Sequence, residues 1–302
     1  MRRMRLAATL FALTLSSTAL GVPIITVEDG STLVVDSATK ANYDVRGSLD
    51  IRAGADVNSV YSYSEGSGKV TMSGGRVDYG ISLSRGLFES TGGESYGAGN
   101  YSNGLDIGWG QAVISGGTFV GGNGTLAAGS GVAGSAGTWN GVPFVSELAI
   151  SGGTFIGGTG AGGYYGGDTG YSLISLGNTT VTGGEFLSPI AINAAYGGVT
   201  SFFGTGLSYD AATQTLSGVL SNGDALHALV YLSGGTVAET NDDGTEITFS
   251  YDSGVSTDPP TNPEPPPVPE PTSLIVFGLA GAFAMARHRR ISRGRTASRS
   301  NC

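Results

Sequence analysis

The stretch Val113-Ile114-Ser115-Gly116-Gly117-Thr118-Phe119-Val120 decides how this chain folds. It returns as Ala149-Ile150-Ser151-Gly152-Gly153-Thr154-Phe155-Ile156 and as Thr180-Val181-Thr182-Gly183-Gly184-Glu185-Phe186-Leu187. Further copies are Val70-Thr71-Met72-Ser73-Gly74-Gly75-Arg76-Val77 and Tyr231-Leu232-Ser233-Gly234-Gly235-Thr236-Val237, with Ser90-Thr91-Gly92-Gly93-Glu94 degraded. Each reads apolar, hydroxyl, Gly, Gly, variable, apolar. A strand ending at the hydroxyl residue, a corner of two glycines free to take positive φ, and a second strand starting at Phe or Val would turn both apolar sets inward. Stacked coil upon coil, such units bury a continuous column of Val, Ile and Phe. The expectation is an all-β chain whose residues 22–200 form an irregular right-handed parallel β-helix; an irregular β-sandwich is the competing arrangement.

The first glycines stand at 74, 92, 116, 152, 183 and 234, at intervals of 18, 24, 36, 31 and 51. Gly-rich insertions at residues 121–141 and 157–170 would lengthen individual coils. From about residue 201 to 255 the texture changes to short apolar runs, with Asn222-Gly223-Asp224 and Asp242-Asp243-Gly244 as hairpin turns. This reads as a small terminal β module that closes the last coil, whose open edge would otherwise invite aggregation.

Composition supports a turn-dense β protein: 53 of the 302 residues are Gly and only 13% are charged. Between Glu28 and Glu270 lie all 24 acidic residues but only six basic ones, a net charge of −18. Such a surface opposes phosphate, so nucleic acid is not an expected partner. The lone Cys302 allows no intrachain disulfide.

The ends differ from the body. Residues 1–21 carry Arg2, Arg3 and Arg5, an apolar run from Leu6 to Leu15, and small residues with cleavage expected after Ala19 or Gly21, the pattern of a secretory signal peptide. Residues 256–271 are a proline-rich linker, with eight prolines between positions 258 and 271, and should form an extended spacer. Residues 272–286 are uncharged and read as a single C-terminal transmembrane helix. Fifteen residues rise about 22 Å against a hydrocarbon core of roughly 30 Å, so the anchor is short. Residues 287–302 form a basic tail with Arg287, Arg289 and Arg290 at its head, expected to stay cytoplasmic.

The tetrapeptide Val268-Pro269-Glu270-Pro271, the apolar segment and the arginines together resemble the PEP-CTERM sorting signal of exported Gram-negative proteins. The resemblance covers about the last 35 residues and implies recognition and cleavage by exosortase, a membrane protease, after transit through the secretion machinery and transient lodging in the inner membrane. It departs from the family in a longer arginine tail that ends at Cys302.

Nothing in the body assembles a catalyst. His227 is its one histidine and lies in a strand pattern without a nucleophile-elbow sequence. The matches Gly129/Gly131/Gly134 and Gly158/Gly160/Gly163 to a phosphate-binding spacing precede no helix. Polysaccharide lyases on β-helices use aspartate clusters with a basic residue, whereas here Lys69, Arg76 and Arg85 have no such cluster. Asp242-Asp243-Gly244-Thr245-Glu246 offers oxygens for Ca²⁺ but reads as a hairpin turn. Tyr164-Tyr165 with Tyr96, Tyr101 and Trp109 could stack on sugar rings. No catalytic residue, cofactor or metal is assigned. The expected role is a structural or interaction protein of the envelope or extracellular matrix, with exopolysaccharide as a candidate partner. The alternatives are a carbohydrate-binding or polysaccharide-degrading β-helix protein, or an adhesin.

Overall fold

A computed structural model describes residues 21–63, 68–125, 127–139, 142–160, 169–195 and 197–250. The signal segment before Gly21, the linker, the apolar segment and the arginine tail lie outside these residues. The described part is all β, without a helix.

The chain winds as a solenoid. β1 (Ile24–Val27) and β2 (Thr32–Val35) open it, followed by a coil of β3 (Asn42–Val45), β4 (Ser48–Ile51) and β5 (Asp56–Val57). Next come β6 (Ser59–Ser62) with β7 (Lys69–Val77), β8 (Ile81–Leu83) with β9 (Leu87–Tyr96), and β10 (Leu105–Ile107) with β11 (Gln111–Val120). β12 (Val132–Gly134) leads through the hairpin β13 (Ala136–Trp139) and β14 (Val142–Val145) into β15 (Glu147–Ile156). β16 (Leu173–Ser175) with β17 (Asn178–Phe186) and β18 (Ile192–Ala195) with β19 (Val199–Asp210) continue the winding. β20 (Thr215–Leu220), β21 (Ala225–Ser233), β22 (Thr236–Asn241) and β23 (Glu246–Ser250) close it.

One ladder runs β1-β3-β6-β8-β10-β12-β16-β18-β21 and a second β2-β4-β7-β9-β11-β15-β17-β19-β22, every step parallel. Parallel neighbours one turn apart are what stacked coils produce, and they set aside the β-sandwich alternative.

Register makes the core. Tyr43, Val60, Ile81, Leu105, Val132, Leu173, Ile192 and Val230 occupy one inward position of successive coils, and all are buried. A second column runs Ile51, Met72, Ser90, Ile114, Ile150, Val181 and Phe202. Beyond the glycine corner a third passes through Val57, Val77, Ser95, Phe119, Phe155 and Phe186. In that column the rings of Phe119 and Phe155 stack at 5.8 Å, and those of Phe155 and Phe186 at 5.2 Å.

The second glycine of each corner, Gly75, Gly93, Gly117, Gly153 and Gly184, has φ between +76° and +113°, where a side chain is strained. The first glycine answers to crowding instead. A Cβ on Gly116 would sit 2.5 Å from the Thr91 carbonyl oxygen of the preceding coil. Corner glycines thus let backbone lie directly on backbone.

The unequal intervals now have causes. Extra residues between β9 and β10, between β11 and β12 and between β15 and β16, and the β13–β14 hairpin, are inserted between otherwise equivalent strands. The glycine loops also hydrogen-bond to each other, Gly129 N–H to Gly122 O at 2.8 Å and Gly158 N–H to Gly129 O at 2.8 Å, extending the stack. Two readings of the repeat need correction. Ser90-Thr91-Gly92-Gly93-Glu94 is a full member of the corner stack. Gly234-Gly235 is not, because it joins β21 to β22 at the other corner of the coil, and the interval of 51 residues follows from that mismatch.

Residues from 201 onward do two things. β19 runs through residue 200 without a break, and β22 pairs parallel with it as a further coil. β20 and β23 instead pair antiparallel and fold over the end, with Leu207, Leu216, Leu220 and Leu226 buried beneath. The turn Asn222-Gly223-Asp224 docks on the last glycine corner: Asp224 Oδ2 accepts from Gly184 N–H at 2.8 Å, and Asn222 N–H donates to Thr182 O at 3.0 Å. The Asp224 carboxylate and the Asn222 backbone amide stand where another coil's backbone would have been.

Glu239 ends the second inward column, above Phe202. Its side chain is fully buried and neither carboxylate oxygen has a hydrogen-bond partner. Burial pushes its pKa up to about 7.

Phe155→Ala, which opens a void between two stacked rings, should cost about 3–5 kcal/mol in urea unfolding, whereas Val113→Ala on the outward face should cost under about 0.5 kcal/mol. Because Glu239 is raised in the folded state, it weakens folding as pH rises from about 4.5 through about 7, and contributes nothing below that window. Glu239→Gln should therefore match the parent near pH 4 and exceed it at pH 8 by on the order of 2–3 kcal/mol, read from denaturation at both pH values.

Candidate functional site

Along the glycine corner the absence of side chains leaves a trough of about 730 Å³, floored by the glycine pairs of β7, β9 and β11 and by Gly153. Its edge is set by the variable residue of each repeat, which projects outward because the residue after it points in and side chains alternate along the strand. Arg76, Glu94, Thr118, Thr154 and Glu185 fall in register at that position. Glu94, Thr118, Thr154 and Glu185 line the trough, and Asp224 closes its far end.

These carboxylates are already engaged. Tyr96 Oη donates to Glu94 at 3.0 Å, and Thr154 Oγ1 to Glu185 at 3.4 Å. Asn222 Nδ2 donates to Asp224 at 2.6 Å, and this bond together with the Gly184 N–H holds the Asp224 carboxyl below its usual range. At the near end Arg76 lies 2.6 Å from Asp78 and 4.4 Å above the Tyr96 ring. Lys40 bridges Asp56 and Asp78; its ammonium, supported by Arg76, lowers the Asp78 pKa against the opposing effect of burial. Such exposed pairs contribute about 0–1 kcal/mol each and serve chiefly to order the rim. The trough offers backbone amide groups, hydroxyls and carboxylate acceptors to an extended, hydroxyl-rich ligand. It presents no base aimed at a nucleophile.

The residues weighed from sequence are dispersed. His227 is exposed on β21, opposite Ser217. Lys69 pairs with Glu89 at 2.7 Å. Arg85 lies 4.0 Å above the Trp109 ring, and the Phe144 ring stands 4.7 Å from the same indole, so that aromatic surface is taken up within the protein. Tyr96 belongs to the trough's rim region, whereas Tyr101 is exposed in the loop after β9; Tyr164 and Tyr165 lie outside the described residues. Asp242-Asp243-Gly244 forms the β22–β23 hairpin turn, with Gly244 N–H on Asn241 O at 2.8 Å and Thr245 N–H on Asp243 Oδ1 at 2.9 Å. Among the described residues no three His, Cys, Asp or Glu side chains converge as a metal set. Gly129, Gly131 and Gly134 sit in and before β12, and no helix follows. No single residue signals the trough in the sequence, since its signal is the variable position of the repeat taken in register.

The sorting residues Val268, Pro269, Glu270, Pro271, Arg287, Arg289 and Arg290 lie outside the described residues. Among the described residues no helix is long and apolar enough to cross a membrane. No curated protein and no solved structure matches the chain. Residues 267–290 match the PEP-CTERM protein-sorting motif, a span that holds the tetrapeptide, the apolar segment and the first three arginines of the tail. Near its C-terminus the chain therefore carries the PEP-CTERM motif, which marks an exported protein for membrane-anchored processing by exosortase.

Proposed function

We propose that this is a structural or interaction protein of the cell envelope or extracellular matrix, built as an acidic solenoid that is delivered by its C-terminal sorting signal. The observation that carries the reading is the sorting motif at residues 267–290. In this reading residues 1–21 direct export and are removed, and residues 256–271 hold the body clear of the membrane, reaching at most roughly 50 Å. Residues 272–286 anchor the chain while residues 287–302 stay cytoplasmic. Exosortase then cuts near Val268–Pro271. The coils wind right-handed, the sense favoured by parallel crossovers. An acidic surface suits an extracellular role because like charge keeps neighbouring copies dispersed.

A second reading, binding of a glycan chain, is favoured by the trough, whose glycine floor and hydroxyl and carboxylate edge suit a polymer lying along the solenoid. Thr118→Trp would obstruct it and should weaken retention on the producer's exopolysaccharide about tenfold, whereas a passive matrix role leaves retention unchanged.

Mass spectrometry of the protein from producing cells tests the leading reading. The expected C-terminus lies near residues 268–271 and reverts to Cys302 when exosortase is deleted. A C-terminus at Cys302 in cells with active exosortase overturns it.

A further inference from the structure

The two ends of the solenoid are not equivalent. At the C-terminal end the inward columns stop at Val230, Val237 and Glu239, each at most 1% exposed. At the N-terminal end Ile25 heads the column that continues as Tyr43, Val60 and Ile81, each 1% exposed, yet Ile25 itself is 36% exposed. Beside it Ile24 is 64% exposed. β1 pairs with β3 and β2 with β4, and among the described residues no strand lies on their other side. β1 reads Ile-Ile-Thr-Val and β2 Thr-Leu-Val-Val, so neither carries the charge or proline that usually guards a sheet edge.

We propose that β1 is the docking edge for a second copy of this chain, the two β1 strands running antiparallel about a two-fold axis. The strand is self-complementary in that arrangement. Ile25 faces its own counterpart across the axis and Ile24 faces Thr26 of the second copy, all β-branched residues that favour strand pairing. At the other end β20 is paired on both sides, and β23, with a neighbour only on its β22 side among the described residues, begins at the charged Glu246; the two-fold pairing moreover uses up the β1 edge of both copies. Association therefore closes as a dimer and does not propagate as a head-to-tail filament.

The inference rests on the export reading, in which cleavage after Ala19 or Gly21 leaves only Leu20 to Pro23, or Val22 and Pro23, ahead of Ile24. So short a segment cannot fold back as a strand along β1. Glu28 and Asp29 after β1 and Asp36 after β2 place like charge at the rim, so the dimer tightens as salt screens it.

Sedimentation of the processed protein from producing cells, with the chain mass read on the same sample, tests this. A dimer is expected below about 100 μM, tighter in 0.5 M salt than in about 0.05 M. Ile24→Lys should weaken it roughly hundredfold and leave thermal unfolding unchanged, because the side chain is exposed. Val219→Lys, exposed on β20 at the far end, should leave the dimer intact. A monomeric parent with a processed N-terminus, a dimer indifferent to Ile24→Lys, or an open series of larger species each overturns the proposal. An N-terminus still at Met1 overturns the export reading separately; a dimer that Ile24→Lys still splits would then uphold the edge.

Discussion

The body depends on close approach of backbone to backbone at the Gly-Gly corner. Where one coil turns over the next, a side chain on the first glycine would strike the preceding coil's carbonyl, and one on the second would strain a positive φ. With both positions bare, successive strands come into parallel register, and apolar residues on either side of the corner fall into continuous columns. The stacked rings of Phe119, Phe155 and Phe186 follow from that register, and the bare corner leaves the trough on the outside. Core and surface thus have one cause.

A repeat of this kind needs ends, and the chain treats its two ends differently. The C-terminal end folds antiparallel hairpins over the last coil and uses Asn222 and Asp224 to satisfy the final glycine corner. That closure traps Glu239 without partners, so the cap carries a buried charge that weakens it as pH rises. The N-terminal end leaves Ile24 and Ile25 bare. In a repeat protein each coil is stabilised by its neighbours, so an uncovered end is the natural place for association.

Much of this was legible in the residues. The apolar-hydroxyl-Gly-Gly pattern gave the inward columns because a corner of fixed chemistry constrains both flanking strands. The sorting motif was legible for a different reason: it is a linear segment whose order alone carries the signal. Other features were not legible. Tyr231-Leu232-Ser233-Gly234-Gly235 has the repeat's composition, but local sequence does not say which corner of a coil a glycine pair occupies. The β13–β14 hairpin was hidden inside a Gly-rich insertion. Tyr101 and Trp109 looked like a common surface, yet an inserted loop carries one away and Arg85 and Phe144 occupy the other. The trough needs register across five coils, which only pairing supplies.

The central claim is that Phe119 and Phe155, 36 residues apart, are nearest neighbours in one column while Phe119 and Phe186 are not. A double-mutant cycle with Leu at each position, read by equilibrium unfolding, tests it directly. The account predicts a coupling of about 0.5–1.5 kcal/mol between Phe119 and Phe155, and near-additivity between Phe119 and Phe186. Additivity of Phe119 and Phe155 within about 0.3 kcal/mol would contradict the stacked-coil register.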